Sequence, residues 1–318
     1  MSGPVFIGPG DMGGTERLLR VVDALAEAFA DLSAGRTASP PRTIVPHERG
    51  GELLAAASVW ERHGVGSVKI TTLTPGNPER GLPLIHGVVA VTDLATGRIT
   101  ALLDGAELTA VRTGAVAALA TRLCAPEDAA DLAVLGAGVQ ARALVRAVSA
   151  VRPPRTVRVF SRTRERTMEF ARWVRDASDG GLRVTVCDTA EEAVTDASVI
   201  CTTTSTGARE PLVEAGWVAP GAHLNVIGGT HEDALEVDPA LLADALVVVE
   251  ERRAACEEAG EVRAALAGGL IAPGALRELG ELVGSTAAAG GRTSVFRGVG
   301  LAIEDTAAAA ALCAGAAP

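Results

Sequence analysis

A glycine-rich turn between an apolar strand and a helix is the strongest chemical signal in the sequence. It reads Leu135-Gly136-Ala137-Gly138-Val139-Gln140-Ala141. Gly136 permits a tight turn, Gly138 lets a pyrophosphate approach the backbone, and the small Ala141 allows helix and strand to pack closely. The amino terminus of the helix offers N–H groups to the phosphates. The segment predicts a dinucleotide site, and an ordinary glycine turn is the alternative.

The end of the next strand bears on which nicotinamide cofactor binds. An acidic residue there would hold the ribose hydroxyls of NAD and repel a 2′-phosphate. This chain has Ser161-Arg162-Thr163 instead, which offers two hydroxyls and a guanidinium that can pair with phosphate. The pattern favours NADP(H) over NAD(H). The alternative is that Arg162 is merely solvated at the sheet edge.

Later strand ends add further candidates, because ligands of parallel sheets lie at the carboxyl ends of the strands. One of these strand ends contains Thr203, Thr204 and Ser205, but a threonine-rich strand end is equally typical of a β-strand that binds no ligand. The additional candidate cofactor contacts are Thr113, Thr203, Thr204, Ser205, Ile227 and Gly228.

Three basic residues in apolar surroundings are candidates for substrate binding. Lys69 lies in an apolar strand, Arg112 lies near the start of a helix, and Arg42 follows two prolines. Each alone is most simply a surface charge. If they converge in one cleft, they form a clamp for a substrate carboxylate.

The elements that position these residues fall into two patterns. Residues 65–103 predict antiparallel strands, and residues 15–32 and 107–123 predict helices that pack on them. Strands and helices alternate from residue 132, which predicts a doubly wound sheet of six strands. The fold class is therefore α/β, with a Rossmann domain over 126–296. A substrate-binding α+β domain combines 1–125 with 297–318.

Composition excludes several classes of function. The net charge of −10 gives no general attraction for nucleic acid or anionic membrane, and no apolar run is long enough to span a bilayer. Five scattered cysteines show neither metal-ligand nor redox-pair spacing. Together with the lack of a signal peptide at the start of the sequence, they predict a cytoplasmic protein without a metal site.

Several motifs together resemble the ornithine cyclodeaminase/mu-crystallin family over nearly the whole length. The matching stretches are Lys69 with Asn77 and Gly81-Leu82-Pro83, Leu108-Thr109-Ala110-Val111-Arg112-Thr113, the turn at 136–141, Pro220-Gly221-Ala222-His223-Leu224-Asn225, and Val295-Phe296-Arg297-Gly298-Val299-Gly300 with Glu304-Asp305.

The resemblance implies a homodimer whose first domain carries the substrate site and the dimer contacts. It implies that Arg42, Lys69 and Arg112 hold the substrate carboxylate, with Lys69 and Arg112 as the catalytic pair. Glu52 matches a position that contacts the substrate amine in cyclodeaminases, and a solvated loop carboxylate is the alternative for it.

One departure from the family pattern bears on the reaction. Cyclodeaminases carry Gly-Gly-Asp after the fifth strand, where the aspartate is the catalytic acid and base, whereas this chain has Gly228-Gly229-Thr230. Branches resembling mu-crystallin, which reduce ketimines with NADPH, also lack that aspartate. His231, Glu232 and Asp233 are nearby proton donors, or simply exposed loop residues.

The sequence therefore predicts an NAD(P)H-dependent oxidoreductase acting on a C=N or C–N bond beside a carboxylate, with a small amino or imino acid as substrate. Ketimine reductases and amino-acid dehydrogenases of the alanine type, or opine-like synthases, are all of this kind. The alternatives are a cyclodeaminase that uses NAD+ internally and releases ammonia, and a non-catalytic, crystallin-like NADPH-binding protein.

Overall fold

The computed structural model describes residues 3–48, 50–178, 181–205, 207–229, 233–285 and 289–314. The chain forms two compact units, Met1–Val116 with Gly300–Pro318, and Ala117–Val299. These limits differ from the predicted boundaries after residues 125 and 296. The first difference arises because one helix continues through the boundary, and its Ala117 is already packed in the core of the second unit.

The first unit is built on a six-stranded sheet. Its strand order is β1-β6-β5-β4-β3-β2, with β2 to β6 antiparallel and β1 parallel to β6. The elements are β1 (Val5–Ile7), α1 (Thr15–Ser33), β2 (Thr43–His47), β3 (Gly51–Trp60), β4 (Val65–Leu73), β5 (Ile85–Asp93), β6 (Ile99–Asp104), α2 (Gly105–Cys124) and, from the end of the chain, α9 (Ala302–Cys313).

The two faces of this sheet differ in how they are covered. Helix α9 packs on β3, β4 and β5 and also contacts α1, so this face is buried. The opposite face carries apolar side chains in register across the strands, and Phe6 on it is 66% exposed. We call it the apolar sheet face; its members are Phe6, Val45, Leu53, Ala55, Ala57, Val68, Ile70, Val88, Ala90 and Leu102.

The second unit contains an eight-stranded, fully parallel sheet with the order β13-β12-β14-β11-β10-β7-β8-β9. The elements are β7 (Asp131–Leu135), α3 (Val139–Val151), β8 (Thr156–Phe160), α4 (Arg164–Ala177), β9 (Arg183–Val186), α5 (Ala190–Val194), β10 (Val199–Thr202), β11 (His223–Val226), β12 (Leu246–Val249), α6 (Arg252–Glu258), α7 (Gly260–Ala267), β13 (Arg277–Glu278), α8 (Leu279–Leu282) and β14 (Ser294–Arg297).

The predicted α/β class is confirmed, but the predicted count of six strands in the second sheet is too low. Strand β14 inserts between β11 and β12, and the two-residue β13 pairs with β12. All four residues of β14 are buried. For that reason the last segment divides after Val299 and not before Arg297: its strand completes the parallel sheet, and its helix α9 belongs to the first unit.

Within the described residues, no helix is both long and apolar enough to cross a membrane.

Candidate active site

The predicted cofactor residues of the second unit gather at one edge of the parallel sheet. The register aligns the last residues of four neighbouring strands, Phe160, Leu135, Thr202 and Val226. The residues that follow each strand therefore emerge side by side. This edge is where doubly wound sheets bind ligands, at the point where the chain reverses its direction of strand addition between β7 and β10.

The turn after β7 has the shape that a pyrophosphate requires. Gly136 adopts a φ of +119°, which side chains rarely tolerate, and a Cβ there would collide with Thr203. A Cβ on Gly138 would meet no atom within 4 Å, so the backbone in front of it is open. Gly138 caps α3, whose first N–H groups are free of side-chain caps. The residues present fit a bound dinucleotide phosphate.

The first turn of α3 separates exposed from packed residues. Val139 is 68% exposed although it is apolar, whereas Ala141 is fully buried at the predicted contact of helix and strand. The Oε1 atom of Gln140 is buried without a hydrogen-bond partner among the described residues. A buried acceptor without a partner is costly unless a ligand satisfies it.

The loop after β8 places hydroxyls and one guanidinium at the same edge. The Ser161 hydroxyl bonds with Thr167 Oγ1 at 2.7 Å and donates to the Thr163 carbonyl at 3.2 Å. Thr163 caps α4 and is exposed, as is Arg162. The neighbouring Arg164 is ion-paired with Asp188. Both arginines are therefore exposed near the hydroxyls, and Arg164 is held by its ion pair with Asp188.

The loops after β10 and β11 rest on a buried carboxylate that the sequence analysis did not single out. Thr203 Oγ1 donates to the Leu135 carbonyl, and Ser205 is exposed. The amide and hydroxyl of Thr204 donate to Glu236, whose side chain also closes the space over Gly228. Burial raises the pKa of Glu236, and its hydrogen bonds with Thr204 oppose that rise.

A second buried pair continues this support. Glu261 accepts the Glu236 amide at 2.6 Å and the Arg297 Nε at 2.8 Å, and Arg297 donates to the Gly229 carbonyl at 2.8 Å. The partners lie 25 to 68 residues apart in sequence, so no local pattern points to the network. It fixes the backbone beside the predicted contacts Ile227 and Gly228.

Replacing Gly138 with alanine tests the turn. We expect the fold to persist, because the added methyl group enters open space and the φ of −90° suits alanine. Affinity for the dinucleotide should fall by about 10–100-fold, since hydrogen bonds to a charged group contribute about 1.5–3 kcal/mol. Calorimetric titration measures this, with Gly216→Ala, an equally open site of the same unit, as the control. Equal affinities for the two variants would contradict the assignment.

In the first unit, the structure brings Lys69 and Arg112 together through two carboxylates of α9. The Lys69 ammonium lies 2.7 Å from Asp305 Oδ2, and Arg112 lies 2.7 Å from Glu304 Oε2 and 3.4 Å from Asp305 Oδ1. Both carboxylate side chains are at most 2% exposed, and both cations about 12–13%. We call these four residues the ion-pair cluster. The predicted convergence of Lys69 and Arg112 is what the geometry shows.

Helix α9 is fastened so that its carboxylates meet β4 and α2. Thr306 Oγ1 bonds with Ser67 of β4 at 2.7 Å and with Ser58 of β3. Glu304 accepts the Leu301 amide at 2.6 Å, which orients its second oxygen towards Arg112. A buried ion pair is stable only when the remaining donors and acceptors of its charged groups also form hydrogen bonds.

The electrostatics of Lys69 follow from this packing. Burial lowers the pKa of Lys69, the Asp305 carboxylate opposes that change, and the Arg112 guanidinium adds to it. Lys69 is also the single lysine of the chain, beside 28 arginines. An arginine would bind a carboxylate at least as well, but only a lysine can release its proton in a protein. A lysine at this position can therefore transfer a proton as well as provide positive charge.

The remaining predicted substrate residues lie in the same unit. Arg42 donates to the Gly300 carbonyl at 3.2 Å, and a Cβ on Gly300 would lie 3.1 Å from the Arg112 guanidinium, so Gly300 links the two arginines. Glu52 shares the Lys69 face of the sheet, four residues along β3 from Ala56, the cross-strand partner of Lys69. The separation of four residues between Glu52 and Ala56 corresponds to ~13 Å along the strand at the usual rise per residue. Thr113, a predicted cofactor contact, follows Arg112 on α2 and is buried.

The sequence matches the model of the ornithine cyclodeaminase/mu-crystallin family over residues 9–314. The chain belongs to this family. A ketimine reductase mu-crystallin from Mus musculus is 35% identical over 294 residues, which cover 92% of this chain and 90% of the relative.

Two solved structures share the fold of this family member. Δ1-Pyrroline-2-carboxylate reductase from Thermococcus litoralis, in complex with NADH and L-proline, aligns with a TM-score of 0.89 and 30% identity over 98% of this chain and 97% of the other. An archaeal alanine dehydrogenase dimer with bound NAD aligns with a TM-score of 0.86 and 26% identity over 98% and 96%. The predicted resemblance is thus confirmed.

Thr230, which stands where the resemblance implies an aspartate in cyclodeaminases, lies with His231 and Glu232 outside the described residues. Asp233 is exposed and forms an ion pair with Arg209 at 3.1 Å.

Proposed function

We propose that the protein reduces the C=N bond of a small imino acid, a ketimine whose carbon carries a carboxylate, with a nicotinamide cofactor. The observation that carries the proposal is the buried ion-pair cluster, in which the only lysine of the chain lies beside Arg112. Relatives named ketimine reductase and Δ1-pyrroline-2-carboxylate reductase support the reaction class. The two similar solved structures contain a bound nicotinamide cofactor, NADH in the pyrroline-2-carboxylate reductase and NAD in the alanine dehydrogenase.

Each residue has a role that follows from its chemistry. Arg112 and Arg42 bind the substrate carboxylate and fix the orientation of the imine carbon. Lys69 donates a proton to the imine nitrogen, because a protonated iminium accepts a hydride far more readily than the neutral imine. When bound, the reduced nicotinamide supplies that hydride. The turn at Gly136 and Gly138, with Val139 and Gln140, holds the dinucleotide, and placement of the reactants supplies much of the rate enhancement.

We infer that NADP(H) is favoured over NAD(H). The loop after β8 offers the exposed Arg162 with the hydroxyls of Ser161 and Thr163, and its sequence has no acidic residue that would repel a 2′-phosphate. An Arg162→Ala variant should lose affinity for NADPH but keep its affinity for NADH. Equal losses for both cofactors would contradict this preference.

The assay that tests the reaction offers five- and six-membered cyclic ketimine carboxylates with NADPH or NADH and follows the absorbance of the reduced nicotinamide. We expect oxidation of the cofactor in step with formation of a cyclic amino acid. Ammonia release from ornithine or lysine without a net absorbance change would instead identify a cyclodeaminase. Absorbance changes that require added ammonia or amine would identify a dehydrogenase or opine-like synthase. Cofactor binding without turnover of any of these compounds would identify a binding protein.

We also infer a homodimer formed through the apolar sheet face. Exposed apolar patches of this extent mark interaction sites, and the archaeal alanine dehydrogenase is a dimer. A Val68→Glu variant should sediment as a monomer, because a charge would be buried in the interface. Met168→Glu, at an apolar residue of α4 that is 50% exposed against 38% for Val68, is the control. A monomeric wild-type protein would contradict the inference.

Five unpaired cysteines further favour a reducing, cytoplasmic location.

A further inference from the structure

The two carboxylates of the ion-pair cluster are neighbours in sequence and both lie near Arg112, but their closest partners differ. Asp305 is the one that reaches Lys69, at 2.7 Å, and its second oxygen lies 3.4 Å from Arg112 Nε. Glu304 contacts Arg112 at 2.7 Å, and its other oxygen accepts a hydrogen bond from the Leu301 amide. A single helix therefore presents one carboxylate to the proton donor and one to the carboxylate clamp.

We propose that Asp305 is a positioning residue that keeps the Lys69 ammonium charged and aimed at the imine, whereas Glu304 positions the Arg112 guanidinium. This inference rests on the proposed function for its catalytic meaning. The contacts themselves are independent of any substrate. Of the two adjacent buried acids, Asp305 contacts Lys69 and Glu304 is the nearer to Arg112.

The surroundings of Lys69 give the division its physical basis. Helix α9 directs Asp305 and Glu304 towards Lys69, and α2 directs Arg112 towards it. The cross-strand neighbours, Ala56 of β3 and Val89 of β5, are uncharged. Burial and Arg112 both favour the neutral amine, so the nearest carboxylate has to balance them. A neutral lysine has no proton to give to the imine nitrogen, and it would not bind a carboxylate.

The proton transfer balances in a simple way. Lys69 Nζ loses one proton to the imine nitrogen, and the C=N π bond breaks as its carbon accepts the hydride that a bound reduced nicotinamide would supply. The nicotinamide would thereby be oxidised, and the amine product forms. Lys69 is left neutral and takes up a proton from solvent before the next turnover. Asp305 stays ionised throughout and stabilises the recharged ammonium, so its effect falls on the protonation of Lys69 and not on the bonds of the substrate.

The single lysine allows a direct test. Protein labelled with ε-¹⁵N-lysine gives one side-chain signal, whose titration reports Lys69 alone. Asp305→Asn should lower the titration midpoint by at least about one pH unit, as expected for loss of an opposite charge at contact distance. It should also move the alkaline limb of kcat/KM to lower pH by the same amount.

Glu304→Gln is the matched control, because it removes an equally buried carboxylate one residue away. It should move the Lys69 titration by less than half as much and instead raise the KM for the imino acid, since Arg112 loses its nearest carboxylate. Asp305→Glu keeps the charge and should restore most of the titration midpoint, with a reduced kcat because the ammonium is displaced. It also keeps the test open if Asp305→Asn does not fold.

An unchanged Lys69 titration in Asp305→Asn, or equal shifts in Asp305→Asn and Glu304→Gln, would overturn the inference. So would a midpoint in Asp305→Glu as low as that in Asp305→Asn. The magnetic resonance titration needs neither substrate nor turnover. A protein without reductase activity would therefore refute the proposed function, whereas these titration results would refute the role of Asp305.

Discussion

Replacing Lys69 with methionine should lower the turnover of a cyclic imino acid by about 10²–10⁴-fold, the usual contribution of a positioned acid. Methionine preserves much of the length and the apolar stem of lysine but can neither donate a proton nor bind a carboxylate. Affinity for NADPH should be unchanged, because the glycine turn that holds the dinucleotide phosphates lies in the second unit and Lys69 lies in the first. Steady-state kinetics and calorimetry on the same preparation measure the two effects.

Lys69→Arg separates the two roles of this side chain. Arginine retains the positive charge, but it is not deprotonated in proteins. If Lys69 serves as an acid, Lys69→Arg loses most of kcat while its KM rises much less than in Lys69→Met. If Lys69 only binds the carboxylate, Lys69→Arg remains nearly as active as the wild type. Retained turnover in Lys69→Met would contradict the assignment of the reaction itself.

Replacing Asp31 with asparagine should produce the second large effect, a loss of about 3 kcal/mol in the free energy of unfolding. Asp31, on α1, is 1% exposed and accepts hydrogen bonds from Trp60 Nε1 at 2.9 Å, from Arg62 at 2.8 and 2.9 Å and from Arg36 at 2.9 Å. An amide would turn one acceptor into a donor against these donors. Removing one partner of a buried ion pair usually costs about 3–5 kcal/mol, and the half-exposed arginines place the estimate at the lower end.

The pH dependence of stability provides a second readout for Asp31. Although burial opposes ionisation, hydrogen bonds from Arg62, Trp60 and Arg36 lower the pKa of Asp31 from 3.8 to about 2. A carboxylate with a depressed pKa in the folded state stabilises the fold fully above pH 3.8, and this stabilisation is lost as the pH falls towards 2. Denaturant titrations should therefore show a difference between wild type and Asp31→Asn that narrows below about pH 4.

Glu27→Gln is the control on the same helix. Its carboxylate lies 3.2 Å from His63 at the surface, and exposed pairs contribute at most about 1 kcal/mol. If Asp31→Asn lowers the free energy of unfolding no more than Glu27→Gln does, the buried Asp31 carboxylate does not stabilise the fold as predicted.

Periodicity predicted much of the secondary structure because alternating and helical patterns are local. Strands β4 and β5 lie within residues 65–103, where the pattern predicts antiparallel strands, and α1 begins at the predicted residue 15. No assignment was made for β3, since the run Leu54-Ala55-Ala56-Ala57 carries no alternation. The predicted domain boundary after residue 296 divides β14, because sheet membership depends on pairing with β11 and β12, which no local pattern encodes.

The candidate site divides in the same way. The glycine turn, the strand-end hydroxyls and the basic residues were all identified from their types and their places relative to predicted elements. The partners Glu304, Asp305 and Glu236 received no role from the sequence. Arg112 and Glu304 are separated by 192 residues, so their contact exists only because α9 returns to the first sheet.

The glycine turn after β7 and the candidate roles of Lys69 and Arg112 could be predicted from the sequence, because residue type and local pattern suffice for both predictions. The contacts of Asp305 with Lys69 and of Glu304 with Arg112 emerge only from the tertiary structure. Burial and long-range pairing govern the proton affinity of an amine, and both arise only when distant segments pack together.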